Sequence, residues 1–160
     1  MTGSVRLASP ESPADVAALA TLRFRWRHDE GGESGDLATF APAFGAWWQA
    51  HAFSHLALLA EAEGEPVGMA WLGVLERVPG PERFRRTAGM IQSVYVHPGS
   101  RGRGIGAALV EGAIATARER GLDYLGVHPS ERSYPVYERA GFGRTSSVLE
   151  LGLTAPRRPA

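Results

Sequence analysis

Apolar and polar positions follow two periods along this chain, and the switches between them mark out its elements. Val5 to Ala8 is a short apolar stretch stopped by Ser9-Pro10, which predicts an opening strand. Ser12-Pro13 offers an N-cap with proline at the first helical position. Val16, Leu19, Ala20 and Phe24 then recur at helical spacing up to about Trp26. His28 to Asp36 is polar and glycine-rich and predicts a loop, and Leu37 to His51 returns to helical character with Pro42 expected to break it in two. Leu56 to Glu61 and Val67 to Leu75 are apolar runs joined by the turn Ala62 to Pro66, a hairpin signal, and Pro79 to Thr87 predicts another loop.

The second half alternates strand and helix. Met90 to Val96 predicts a strand, and Ile105 to Arg120 a helix closed by Arg118, Arg120 and Gly121. Tyr124 to Val127 should pair parallel to Met90 to Val96, because a helix of that length is what such a crossover needs. Ser133 to Ala140 predicts a last helix stopped by Gly141, Ser146 to Leu151 a closing strand, and Pro156 to Ala160 a frayed tail. With no repeat or linker in the pattern, the expectation is one α/β domain over residues 1–155 and a tail at 156–160.

Composition narrows the function classes without choosing one. A chain of 160 residues, 44% hydrophobic and 21% charged, has room for a real core. The formal net charge of zero supplies no global field for nucleic acid or an anionic membrane, so neither partner is expected and any hold on phosphate must be local. There is no cysteine, which excludes disulfides, thiolate metal sites and a cysteine nucleophile. All 17 basic residues are arginine, which excludes a Schiff-base lysine. Met1 to Arg6 shows no secretory leader and no apolar run reaches the ~20 residues that span a bilayer, so cytoplasmic residence is the expectation.

Local chemistry concentrates in Val94 to Gly106, VYVHPGSRGRGIG, where an apolar strand turns through a proline and an arginine-flanked glycine loop opens a helix. Glycines let the backbone approach a ligand, and a helix N-terminus offers unpaired N–H groups and a positive dipole end, so the stretch suits a phosphate. A nucleotide P-loop is excluded by the missing Gly-Lys-Ser/Thr. Gly102, Gly104 and Ala107 formally satisfy the dinucleotide pattern, with Asp123 near the ~20-residue spacing of a ribose-binding acid. That pattern should follow its strand directly and place the acid at the end of the next strand. Here His97 to Arg101 intervene and Asp123 precedes Tyr124 to Val127.

Arg101-Gly102-Arg103-Gly104-Ile105-Gly106 resembles the Q/R-x-x-G-x-G/A signature of the GNAT acetyltransferase superfamily. Ser130 to Phe142, SERSYPVYERAGF, resembles that family's penultimate helix, commonly N-x-x-A-x-x-L-Y-x-x-x-G-F, with Tyr137 and Gly141-Phe142 in place. The two motifs stand in the family's order and cover Met90 to Leu151, while the first half matches only in its pattern of elements. The resemblance implies a mixed central α/β sheet with a splayed pair of parallel strands, flanked by helices. It implies acetyl-CoA as cosubstrate with no metal, and N-acetyl transfer to a primary amine of a small molecule or peptide by direct attack in a ternary complex. A noncatalytic acyl-CoA-binding or sensor module is the alternative.

By the same resemblance, main-chain groups of Val94, Tyr95 and Val96 pair with the pantetheine arm and a bulge there splays the strands. The amides of Gly102, Arg103, Gly104, Ile105, Gly106 and Ala107 hold the pyrophosphate, with charge from Arg101 or Arg103, and Ser130 replaces a cofactor-binding asparagine. Tyr137 is the catalytic candidate. Its phenol, with a reference pKa near ~10, suits proton donation to a thiolate whose thiol lies near ~8.5. No carboxylate base stands on the strand before the loop, which offers Gln92 and Ser93, nor on the next, which offers Gly126. A water relay is therefore expected, with His128 and Glu76 at strand ends as further candidates.

Other features take bland readings. His51 and His55 have the spacing of a helical metal pair but lack the glutamate of a zincin motif, and no metal site is expected. Phe40, Phe44, Trp47 and Trp48 read as core and pocket wall. Asp29, Glu30, Glu33 and Asp36 read as a solvated loop, with attraction of a cationic amine as the alternative. Exposed strand edges make a homodimer the candidate assembly.

Overall fold

A computed structural model gives the fold and describes residues 3–145 and residue 151. Among the described residues five strands form one sheet in the order β1 (Ser4–Leu7), β2 (His55–Ala62), β3 (Glu65–Glu76), β4 (Thr87–Val96) and β5 (Tyr124–Val127). The first three pairings are antiparallel and the last is parallel, from Ala88 opposite Tyr124 to Ile91 opposite Val127. This is the mixed sheet with a parallel pair that the sequence motifs imply.

The apolar run in β2 is continuous because both faces of the sheet are covered. Ala57 and Leu59 pack with Met69 and Trp71 under α1 (Pro13–Arg25) and α2 (Leu37–His51), whose Leu19, Leu22, Phe44 and Trp48 complete that core. Leu58 and Ala60 turn the other way, onto Leu109, Val110 and Ala113 of α3 (Ile105–Glu119) and Tyr137 of α4 (Tyr134–Arg139). The ends of α1 and α3 follow the sequence. Ser12 accepts from Asp15 N–H at 3.2 Å at the start of α1, and Leu122 N–H reaches Ala117 O at 3.0 Å beyond the end of α3.

Three boundaries differ from expectation. Pro42 does not break α2: it forfeits one backbone donor near the start of a helix whose Phe44, Gly45 and Trp48 are buried, and that packing holds the helix together. The chain does not leave helix at His28, since Trp26–Glu30 continues α1 as a turn of π-helix. β4 begins at Thr87 rather than Met90, because its pairing with β3 runs out to Glu76 opposite Thr87. The closing strand expected over Ser146 to Leu151 and the tail from Pro156 lie outside the described residues apart from Leu151.

Candidate functional site

The register of β4 creates the site. Met69 stands opposite Tyr95 while Trp71 stands opposite Gln92, so β4 spends one residue more than β3 over this stretch. The extra residue is accommodated by Ser93, whose φ of +56° is left-handed. Such a bulge bends its strand and ends regular pairing. On the other edge, β5 pairs with β4 only as far as Ile91, and β4 runs on to Val96 alone. His97 N–H donates to Val67 O at 2.8 Å, which fixes the alternation: Tyr95 turns its backbone groups to β3, and Val94 and Val96 turn theirs to the open side. Val96 O is taken there by Arg101 Nε at 2.9 Å.

Where the parallel strands part, a cleft of about 300 Å³ opens. Ser93 and Val94 of β4, Gly106 and Val110 of α3, His128 to Ser130 after β5, and Tyr137 of α4 line it, with Trp26 at its rim. Gly102 and Gly104 hold φ near +75° and +79° in the loop below, a conformation that side-chain-bearing residues adopt at a cost. Gly104 caps α3, and the helical ladder starts with Ala108 N–H on Gly104 O at 3.0 Å. The N–H groups of Ile105, Gly106 and Ala107 therefore precede the ladder at the positive helix end. A Cβ on Gly106 would lie 3.8 Å from Val96 Cγ2, so glycine keeps the passage between strand and helix narrow-walled and bare. Main-chain donors without competing side chains, beside an unpaired strand edge, fit a pyrophosphate joined to an extended amide-bearing arm.

The arginines flanking the loop take different places. Arg101 folds back: besides Val96 O it pairs with Glu30 and lies 5.9 Å from the Tyr95 ring. Tyr95 in turn stacks on Trp26 at 6.0 Å and 21°. Trp26 and Glu30, four apart on the π-turn, thus clamp the end of β4 and the start of the glycine loop. Arg103 is more loosely held, 3.9 Å from Glu63.

Tyr137 is 6% exposed, sits edge-on to Phe142 at 5.6 Å and lines the cleft, and burial pushes its phenol up. Ser130 Oγ lies 3.0 Å from Ser133 Oγ within the cleft wall. His128 joins that wall, whereas Glu76 pairs with Thr87 at the opposite end of β4, about 20 Å of strand from Ser93. Gln92 lies across Gly73 and lines a separate groove of about 200 Å³ with His55 and Met90.

Two features escaped the sequence. Arg23 of α1 donates to Ser93 Oγ at 2.8 Å and packs 5.1 Å over the Trp26 ring. Neither was legible, since Arg23 and Trp26 read as the end of an ordinary amphipathic helix. The acidic stretch is largely consumed by structure: Glu30 holds Arg101, Glu33 holds Arg27, Asp29 faces His28, and Asp36 caps α2 by accepting from Thr39 N–H at 2.9 Å. Among the described residues no group of three metal-ligating side chains assembles, and His51 turns Nδ1 to Trp47 O at 2.7 Å.

This architecture recurs among known proteins. A predicted acetyltransferase of Clostridium acetobutylicum solved with acetyl-CoA superposes with a TM-score of 0.74 at 24% identity, over 95% of this chain and 97% of that one. A GCN5-related N-acetyltransferase of Ralstonia eutropha gives a TM-score of 0.68 at 27% identity, over 93% and 97%. By sequence, a mycothiol acetyltransferase of Cellulomonas flavigena is 30% identical over 98% of this chain and 45% of its own length. A glucosamine 6-phosphate N-acetyltransferase of Trypanosoma brucei brucei is 34% identical over 56% of this chain and 59% of its own. The chain thus spans about half the length of the curated relatives it matches. The model of the acetyltransferase (GNAT) family matches residues 17–142, and the chain belongs to that family.

Proposed function

We propose that this chain is an N-acetyltransferase that takes acetyl from acetyl-CoA and passes it to a primary amine by direct attack in a ternary complex. The observation that carries the reading is the parting of β4 and β5 beyond Ile91, with the Ser93 bulge next along β4, which turns the backbone groups of Val94 and the N–H of Val96 to the side of the cleft that Gly106 of α3 also lines. The loop amides and the start of α3 would hold the pyrophosphate, the open strand edge the pantetheine amides, and Ser130 one further contact. Acetyl-CoA supplies an activated thioester. The protein contributes placement at the bulge, shelter from water by the apolar walls Val94, Val110 and Val127, and a proton at Tyr137 Oη, a phenol protonated at neutral pH in any case and pushed further up by burial.

An alkylamine with a pKa near ~10.4 is neutral in only about one molecule in two thousand at pH 7, so proton removal is needed. Among the described residues no carboxylate lines the cleft, and Glu76 is too distant to serve. Removal through water at the open side of the bulge fits these walls, with the His128 imidazole among them. The names of the relatives favour a small-molecule acceptor.

The test is thiol release from acetyl-CoA by the purified protein across a panel of primary amines. Turnover above the amine-free rate with at least one small amine is the expected result. Tight acetyl-CoA binding with no turnover across the panel would contradict it and return the noncatalytic reading.

A further inference from the structure

We propose that Arg23 selects the acceptor, and that the acceptor is a compact amine bearing an anionic group, a carboxylate or a phosphate. The inference deepens the acyltransferase reading and rests on it. Arg23 reaches the bulge from α1, and Nη1 donates to Ser93 Oγ at 2.8 Å. Ser93 and Trp26, which its side chain meets, both line the cleft, and Arg23 stands next to that lining rather than within it. Among the described residues its Nε and Nη2 donate to nothing further. The nearby carboxylates are engaged elsewhere: Glu33 with Arg27, and Glu30 with Arg101. Arg23 is also half-buried; burial first and neighbouring Arg27 second work against its charge, while Glu33 works for it.

A half-buried guanidinium whose fork meets no carboxylate oxygen among the described residues is a poor stabiliser of the fold alone, because a desolvated charge needs a partner. The same fork is suited to carboxylate and phosphate oxygens. Ser93 reinforces it: its hydroxyl oxygen accepts from Arg23, so its own proton remains to donate. Cofactor phosphates do not meet this group, since the glycine loop begins beyond Val96 and Ser93 stands about 10 Å of strand before that point. The anion that reaches Arg23 therefore belongs to the other substrate. A cation here also opposes a bare polyamine and helps hold an adjacent amine neutral.

The experiment uses matched pairs at saturating acetyl-CoA: glucosamine 6-phosphate against glucosamine, and β-alanine against β-alaninamide. The parent should favour the anionic member of at least one pair by about tenfold in kcat/KM, carried by KM, as expected for one charged hydrogen-bond pair. Which pair responds separates phosphate from carboxylate. Arg23→Gln should erase the preference, and Arg23→Lys should retain part of it, which also controls for folding. No preference in the parent, or an equal fall of kcat for both members in Arg23→Gln, would overturn the inference, the latter by placing Arg23 at the thioester or in the fold. Should no pair turn over, the same amines titrated into the coenzyme A complex decide: weaker binding of the anionic member to Arg23→Gln supports it, and equal binding of both members overturns it. Failure of coenzyme A itself to bind would strike the acyltransferase reading and this inference with it.

Discussion

Ser93 bears much of the site on one backbone angle. Its φ of +56° is in a region that costs a side-chain-bearing residue about 1–2 kcal/mol, and a β-branched residue tolerates it least. Ser93→Val is expected to lower stability by about 1–3 kcal/mol in urea unfolding, while Ser93→Gly, which gives up the same bond to Arg23 but relieves the angle, should fall less; equal midpoints for the glycine and valine variants would show that the bulge is unstrained. In the proposed reaction Tyr137 acts through its hydroxyl, so Tyr137→Phe should reduce kcat by about 10- to 100-fold with acetyl-CoA affinity unchanged, and an unaltered kcat would assign the ring to packing on Phe142 alone. Tyr137 was legible because its motif is local: Gly141-Phe142 follows at fixed spacing on one helix and its turn. Ser93 was not, because a bulge is a mismatch with a partner strand and leaves no mark on the residue that absorbs it. Arg23 was hidden for the same reason, as its partner is 70 positions away.

At the scale of elements, α1 is fastened at one end by charge and at the other by stacking. Asp15 accepts from Arg6 at 2.7 and 2.9 Å and from Ser9 N–H at 2.9 Å, tying the helix to the end of β1. The Arg6 bonds hold the Asp15 carboxyl below its ordinary range. A carboxylate lowered in the folded state stabilises it above the ordinary carboxylate pKa near ~3.9 and loses that contribution as pH falls toward the folded value. Asp15→Asn should therefore cost about 1–3 kcal/mol at pH 7, with the parent and variant stability curves converging below about pH 4. Parallel curves across that range would show that the pair does not couple to folding. Strands and helices themselves were readable from period, caps and turns, because those signals are local. The unbroken α2 was not, since burial of Phe44 and Trp48 outweighs the lost donor of Pro42. The π-turn was not, because its reason is the tertiary clamp of Trp26 and Glu30 on Tyr95 and Arg101.

The whole molecule makes its cleft by ending one pairing early. Helices cover both faces of the sheet, and among the described residues β4 and β5 part for an extended ligand where Val127 ends the ladder and the bulge turns β4 aside. The order of motifs along the chain disclosed that plan, since a glycine loop after one strand and a tyrosine helix after the next come to line one cleft when those strands are parallel neighbours. The proposed acceptor side was illegible because it is assembled from α1, the π-turn and the bulge, none of which carries a short motif. The most direct measurement is calorimetric titration of the ligand-free protein with acetyl-CoA, with NAD and ATP as controls. The geometry predicts saturable binding of acetyl-CoA at one site per chain and none of comparable affinity for NAD or ATP. Absence of acetyl-CoA binding, or preference for NAD, would contradict the assignment of Val94 to Ala107 as the acyl-donor site.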